Sequence, residues 1–224
     1  KKLLIFGTGK VSDAISSYFK LSTEYELVSY VCDKDFLKSK SFRGLPVITS
    51  EDLLSNFSPK EFFLFIAIGF QDLNLARKRL FNRFKKSGYN FASYVDSNCS
   101  SFLKFCGENS LILPGTCIQP GVSIGDNVFI WGNALIGHHA IIHDHAWITG
   151  SANIGGGAQI GEATFIGLSS TIGPNIVIGE SCMIGSQTLT TKNLPSKSVK
   201  ILSDTAKHRL DSDQFLKLSH SLFS

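Results

Sequence analysis

The sequence predicts two unlike folds in one chain: an α/β, Rossmann-like half domain, then an all-β triangular parallel β-helix followed by a short C-terminal helix. Three observations carry this. Isoleucine recurs at every sixth position from Ile112 to Ile184, thirteen times without a gap. Residues 1–95 instead alternate short apolar runs with amphipathic ones. The charge also changes along the chain, with 15 basic and 9 acidic side chains in residues 1–95, 1 and 6 in residues 96–190, and 6 and 3 in residues 191–224. The net charge of +4 is therefore an average over parts carrying +6, −5 and +3. Its division at these boundaries argues for three modules and against a nucleic-acid surface.

Residues 3–6, Leu-Leu-Ile-Phe, read as a strand ending in Gly7-Thr8-Gly9-Lys10-Val11-Ser12, and Ala14, Ile15, Tyr18 and Phe19 give the helical spacing that follows. A second strand, Leu27 to Val31, ends at Cys32-Asp33-Lys34-Asp35. A third, Phe62 to Ile68, ends at Gly69-Phe70-Gln71-Asp72, ahead of a basic amphipathic helix through Arg77-Lys78-Arg79. This β-α-β then β-α order is half of a dinucleotide fold, with room for one diphosphate and one ribose or base. The glycines after the first strand let a phosphate approach a helix N-terminus, and Asp33 is placed for a ribose hydroxyl. The basic run Arg77, Lys78, Arg79, Arg83, Lys85 and Lys86 reads as a solvated helix face.

In the middle segment a period of six is too short for a helical repeat and is a multiple of the strand period of two, so each Ile points to the same side. Two places before each Ile stands a small or β-branched residue, among them Ala134, Ala140, Ala146, Ala152 and Ala158, expected to point inward as well. Gly follows Ile in eight of the thirteen units and is expected to take turn dihedrals. Three units close a coil of 18 residues. Coils stacked about 4.8 Å apart give a prism roughly 20 Å tall. Asn193-Leu194-Pro195 is expected to end the solenoid, and Asp211 to Phe223 to form an amphipathic helix that caps its last coil.

The isoleucine period resembles the hexapeptide-repeat acyltransferases, whose β-helix is left-handed. With the strand–GxG, strand–Asp and Ala67-Ile68-Gly69 features before it, nearly the whole chain resembles the bacterial sugar acyltransferases of the sialic acid O-acetyltransferase and UDP-amino-sugar N-acetyltransferase type. The resemblance implies that Gly9, Lys10, Asp33, Lys34 and Gly69 hold a nucleotide sugar. It implies acetyl-CoA as acyl donor, no metal, and a homotrimer, which would also cover apolar prism faces.

Four of the six His fall at 138, 139, 143 and 145. His138 lies two residues beyond inward-pointing Ile136, at a corner, where an imidazole can take a proton from an attacking hydroxyl or amine. Aligned on the isoleucine ladder, the family's catalytic base is His138. Its neighbour is His139 where relatives usually carry a carboxylate, with Asp144 a candidate to compensate. Trp147 stands where relatives carry a His near the coenzyme thioester, so either packing at this cofactor-binding position holds the acyl-pantetheine or a different residue makes that contact. By the same analogy Gly156, Leu168 and Ser186 line the pantetheine groove between two prisms, and a backbone N–H near Gly155-Gly156-Gly157 meets the oxyanion. His143 and His145 read as solvated corner residues.

The expected function is transfer of an acetyl group from coenzyme A to an amino or hydroxyl group of a sugar, nucleotide-linked, in surface polysaccharide or glycoconjugate biosynthesis. Two other readings stand beside it. One is a γ-carbonic-anhydrase-like metalloenzyme using the His138/His143 spacing, disfavoured because residues 100–106 offer no third His. The other is an idle nucleotide-sugar-binding trimer. The five Cys are scattered without a CxxC, Cys117 reading as outward and Cys182 as buried. No apolar run approaches the ~20 residues of a membrane span. The N-terminus does not read as a secretory signal, so a cytoplasmic location is expected.

Overall fold

A computed structural model describes residues 1–99 and 102–223 of the chain. Its N-terminal part is a six-stranded sheet built from β1 (Lys2–Phe6), β2 (Glu26–Cys32), β3 (Ser41–Phe42), β4 (Leu45–Thr49), β5 (Phe62–Ile66) and β6 (Asn90–Phe91), in the order β3-β4-β2-β1-β5-β6. All neighbours pair in parallel except β3 with β4. Leu3 to Phe6 are all buried, as expected for a parallel strand covered on both faces. Leu3 and Ile5 pack toward Ile15 and Phe19 of helix α1 (Lys10–Leu21), and Leu4 and Phe6 toward Leu53 of α2 (Ser50–Asn56) and Phe81 and Phe84 of α3 (Leu75–Lys86). The β3–β4 hairpin and α2 were not among the expected elements. Thr49 starts α2 with a reciprocal capping box to Asp52.

The prism runs from Tyr94 to Lys200. Each residue pairs with the one 18 positions on, Ile118 with Ile136, Ile136 with Ile154 and Ile154 with Ile172. The first face carries seven strands, from Tyr94–Val95 through Phe129–Ile130 and Trp147–Ile148 to Val199–Lys200. The second runs from Cys117–Ile118 to Leu189–Thr190 and the third from Leu103–Cys106 to Val177–Ile178, five strands each. Inside, the Ile ladder and the alanines two places before it form one continuous core.

Two expectations about the solenoid are corrected. Asn193-Leu194-Pro195 does not end it, because Leu194 bridges Ile178 and Val199–Lys200 pairs with Met183–Ile184. The first face is therefore about 29 Å tall at the usual strand spacing rather than about 20 Å. Nor does the Gly after each Ile supply the turn dihedral. The residue with positive φ stands two places later, as at Asn127, Asn133, His139, His145 and Asn175. Asn suits that left-handed conformation because its short polar side chain bonds locally. The Gly is needed for close approach between coils: a Cβ on Gly137 would lie 2.5 Å from the backbone nitrogen of Gly156.

The N-terminal domain sits on the first face. Leu111, Phe129, Trp147 and Phe165 project from that face into the same core as Leu3, Ile5, Ile15 and Phe65. Helix α3 lies along the corner between the third and first faces. Five of the six acidic residues of 96–190 stack there at intervals of 18: Glu108, Asp126, Asp144, Glu162 and Glu180. Lys85 pairs with Glu108 at 2.5 Å and Lys78 with Glu162. Asp126 and Asp144 also accept backbone N–H bonds from Glu108 (2.7 Å) and Asp126 (2.8 Å) in the preceding coils. The −5 segment and part of the +6 segment thus meet inside one chain.

A helix α4 (Ser212–Phe223) forms where the amphipathic pattern placed it, and among the described residues the end of the prism is left open. Phe215 and Leu216 stay half exposed, and Ile201 and Leu202 at the prism end are 71% and 62% exposed.

Candidate functional site

Two sites emerge, on different sides of the prism. The first is a cavity of about 680 Å³ at the C-terminal ends of β1, β2 and β5. A crevice outside the carboxyl ends of parallel strands is where open α/β sheets bind ligands. Gly7, Thr8 and Gly9 form one wall, Cys32, Asp33, Phe36 and Lys38 another, and Ala76, Arg79, Leu80 and Arg83 of α3 a third. Of the residues expected here, Gly9 and Asp33 line the cavity, whereas Lys10 and Lys34 are exposed outside its lining and Gly69 is buried beside it. The glycine that the loop cannot replace is Gly7, with φ +129° and a Cβ position 2.8 Å from the Ala67 carbonyl oxygen. Asp33 accepts hydrogen bonds from the Ser50 hydroxyl at 2.7 Å and from Arg83 at 2.9 Å, both on Oδ1.

Sequence reasoning missed the α3 wall. Its signal was the spacing Ala76, Arg79, Leu80, Arg83, one stripe of a helix at i, i+3, i+4 and i+7. The adjoining stripe of the same helix corrects the reading of the basic run as a solvated face. Arg77 is fully buried. Its guanidinium donates to the Asn127 carbonyl, to Asn127 Oδ1 (2.9 Å), to the His145 carbonyl (2.9 Å) and to Asn74 Oδ1 (3.1 Å), and lies 4.2 Å over the Phe129 ring. Burial lowers its pKa to about 9.

Arg77 locks onto a ladder of left-handed corner residues. The Ile66 N–H donates to Asn109 Oδ1 (2.7 Å), Asn109 Nδ2 to Asn127 Oδ1 (2.7 Å), and Asn127 Nδ2 approaches His145 Nδ1 at 2.8 Å. An amide N–H must donate, so His145 Nδ1 is the acceptor and the ring is neutral. Burial, then Arg77, pushes its pKa down to about 4. His145 is 5% exposed beside Phe81, which corrects its reading as a solvated corner residue; His143 is exposed as expected. Trp147 is buried as well. It is 3% exposed, packed among Phe70, Phe129 and Trp131, and offers no surface to a coenzyme in the chain by itself.

The second site is the corner between the second and third faces, where His138 and His139 are exposed. The His138 backbone is held on both sides, its N–H donating to Gln119 Oε1 (2.8 Å) in the coil before and its carbonyl accepting from Gly157 (2.8 Å) in the coil after. The two rings meet through their Nδ1 atoms at 3.2 Å, with planes at 79°. Glycines clear the space around both. A Cβ on Gly156 would lie 2.6 Å from His138 Nε2, and one on Gly121 would lie 2.9 Å from the His139 ring. Among the described residues the Gly156 N–H has no acceptor, which leaves a donor beside His138. Leu168 and Ser186 stand together on the corner between the first and second faces, so one chain does not bring them to Gly156.

Cys117 is exposed and Cys182 buried, as expected. Among the described residues no group of three His, Cys, Asp or Glu is gathered to hold a metal, and no helix is long and apolar enough to cross a membrane. Ser100 and Ser101, part of the stretch where a third zinc ligand would fall, lie outside the described residues.

Residues 2–84 match the family model of the PglD N-terminal domain, and residues 105–138 match the bacterial transferase hexapeptide (six repeats) model. Solved structures share the fold, among them three proteins. The acetyltransferase domain of PglB from Neisseria gonorrhoeae FA1090, in complex with acetyl coenzyme A, is 21% identical, with 90% of this chain and 96% of that one covered and a TM-score of 0.80. PerB from Caulobacter crescentus, in complex with CoA and GDP-perosamine, is 20% identical, with 90% and 94% covered and a TM-score of 0.79. WeeI from Acinetobacter baumannii AYE is 19% identical, with 89% and 96% covered and a TM-score of 0.75. The prism is accordingly the left-handed β-helix of these proteins. Among curated proteins, none matches the chain at a significant level.

Proposed function

We propose that this chain, which belongs to the hexapeptide-repeat transferases and carries a PglD-type N-terminal domain, transfers an acetyl group from acetyl-CoA to an amino or hydroxyl group of a nucleotide-linked sugar. The observation that carries the reading is the pairing of two separate features: a cation-rimmed crevice at the sheet edge and an exposed imidazole pair set over Gly156. PerB, of the same fold, is solved with CoA and a GDP-sugar, and PglB with acetyl coenzyme A, which supports both halves of the reaction.

In this mechanism His138 is the general base. For its Nε2 to accept a proton, the hydrogen of the Nδ1 contact sits on His138, and His139 Nδ1 is the acceptor. His139 then orients the His138 ring and supports the imidazolium, more weakly than a carboxylate would. As the acceptor nitrogen or oxygen attacks the thioester carbonyl, its proton passes to His138 Nε2. The Gly156 N–H donates to the developing oxyanion. Collapse of the tetrahedral intermediate breaks the carbon–sulfur bond, and His138 returns the proton to the leaving thiolate.

The sugar reaches His138 only in an oligomer. The N-terminal domain covers the first face and the third–first corner, while His138 stands at the second–third corner, up to about 20 Å away for a six-residue side. A homotrimer would set the crevice of one subunit against the His138 corner of the next, and Gly156 of one against Leu168 and Ser186 of another, forming three shared coenzyme grooves. Exposed Phe105, Ile141 and Val177 on the third face support such packing. The site of action is the cytoplasm, where acetyl-CoA is available.

The test is acetyl-CoA turnover with a panel of UDP-, GDP- and dTDP-linked amino sugars. His138→Ala should lower kcat about 10²- to 10⁴-fold with an unchanged melting temperature. Undiminished turnover in that variant removes the base assignment, and absence of turnover by the wild type with every acceptor removes the reading.

A further inference from the structure

The third wall of the crevice carries an observation that the sequence motif does not contain. Asp33 does not face the cavity as a free carboxylate. Both donors that reach it, the Ser50 hydroxyl and the Arg83 guanidinium, bond Oδ1, and Oδ2 receives neither. Asp33 and Arg83 are each only about a third exposed, 34% and 39%. The pair forms part of the cavity wall.

Arg83 is also held where it is. It lies on the stripe of α3 that faces the crevice, and Arg77 on the adjoining stripe is fixed in the prism by bonds to Asn127, Asn74 and the His145 carbonyl. The helix cannot slide or turn without breaking them, so the guanidinium is presented in one place before any ligand arrives. Its charge matters because the same cavity includes the Gly7–Gly9 loop, the natural seat of a phosphate. A bare carboxylate on the opposite wall would repel that phosphate. Paired with Arg83, Asp33 adds no net charge; Arg79 is likewise paired, with Asp72 at 2.8 Å, so Lys38 leaves the rim positive.

Resting on the nucleotide-linked reading above, we propose that Arg83 is a positioning residue for substrate recognition. It fixes Asp33 with Oδ2 open to a hydroxyl or N–H of the nucleoside, and it cancels the charge that would otherwise exclude the diphosphate.

The experiment is calorimetric titration of the full-length chain with UDP, GDP and dTDP, alongside acetyl-CoA titration and thermal melting. Variants are Arg83→Gln, Arg83→Lys, Asp33→Asn and the Arg83→Gln/Asp33→Asn double variant. Arg83→Gln should weaken the preferred diphosphate about tenfold, leaving acetyl-CoA affinity and melting temperature unchanged, and Arg83→Lys should recover most of the loss. In the Asp33→Asn background, Arg83→Gln should add little, because its action passes through Asp33. Unchanged diphosphate binding in Arg83→Gln overturns the proposal, as does an equal loss of acetyl-CoA affinity, or additive losses in the double variant. If the wild type binds none of the diphosphates, the nucleotide-linked reading fails and the proposal falls with it; wild-type binding with an indifferent Arg83→Gln removes the proposal alone.

Discussion

His139 and His145 are six residues apart, occupy the same position in successive repeats, and share the left-handed backbone conformation at φ 58° and 64°. One faces solvent beside the His138 ring; the other is sealed under α3 as the last acceptor of an asparagine ladder. Position within the repeat therefore sets the backbone but not the chemistry of a corner. What covers the corner sets the chemistry, and here a second domain covers one of the three and leaves another open.

The difference between the corners is open to measurement. The largest expected effect is at the covered one. Arg77→Met leaves the carbonyls of Asn127 and His145 and the Asn74 side chain short of a donor, and should cost about 3–5 kcal/mol in urea unfolding. A loss under 1 kcal/mol would mean that the helix is not locked there.

Acid should reach the same corner next. The folded pKa of His145, about 4, lies below its ordinary value near 6.5, so the unfolded chain binds more protons between those limits. The contribution is complete above pH 6.5 and falls as pH drops toward 4, by about 3 kcal/mol in all. His145→Asn should flatten that part of the stability–pH curve, as followed by chemical unfolding at several pH values. An unaltered slope would place the acid sensitivity elsewhere.

At the open corner, effects should appear in turnover rather than stability. Gly156→Ala puts a methyl where the His138 ring lies, and should lower kcat by about 10- to 100-fold with little change in melting temperature. His139→Ala removes the acceptor on Nδ1 and should lower kcat by about tenfold. If either variant melts early at full specific activity, the open corner is structural. The smallest change is expected for Lys85→Ala, whose half-exposed pair with Glu108 is worth a few tenths of a kcal/mol.

The same contrast explains what was legible in the sequence. The isoleucine ladder, the inward alanines and the strand–GxG start could be read because periodicity and turn chemistry are local. The burial of Arg77, His145 and Trp147 could not, because it depends on which prism face the first domain occupies, and no repeat encodes that. The Gly after each Ile was assigned the wrong task for a similar reason: its necessity lies in the neighbouring coil, 18 residues away. The hairpin before α2 has only two-residue and five-residue strands, too short for alternation to show. Thr49-x-x-Asp52 was the local signal available there.

The alignment of α3 with the acidic column has one more consequence. Lys85 engages Glu108 and Lys78 engages Glu162, three coils further on, so a helix rising about 1.5 Å per residue acts as a splint across coils stacked about 4.8 Å apart. A splint has a length. An extra 18-residue coil inserted between Glu108 and Glu162 would carry one of its anchors out of reach, while one added beyond Glu162 would meet no such restraint. In this chain the prism is free to grow beyond Glu162 but not between its two anchors.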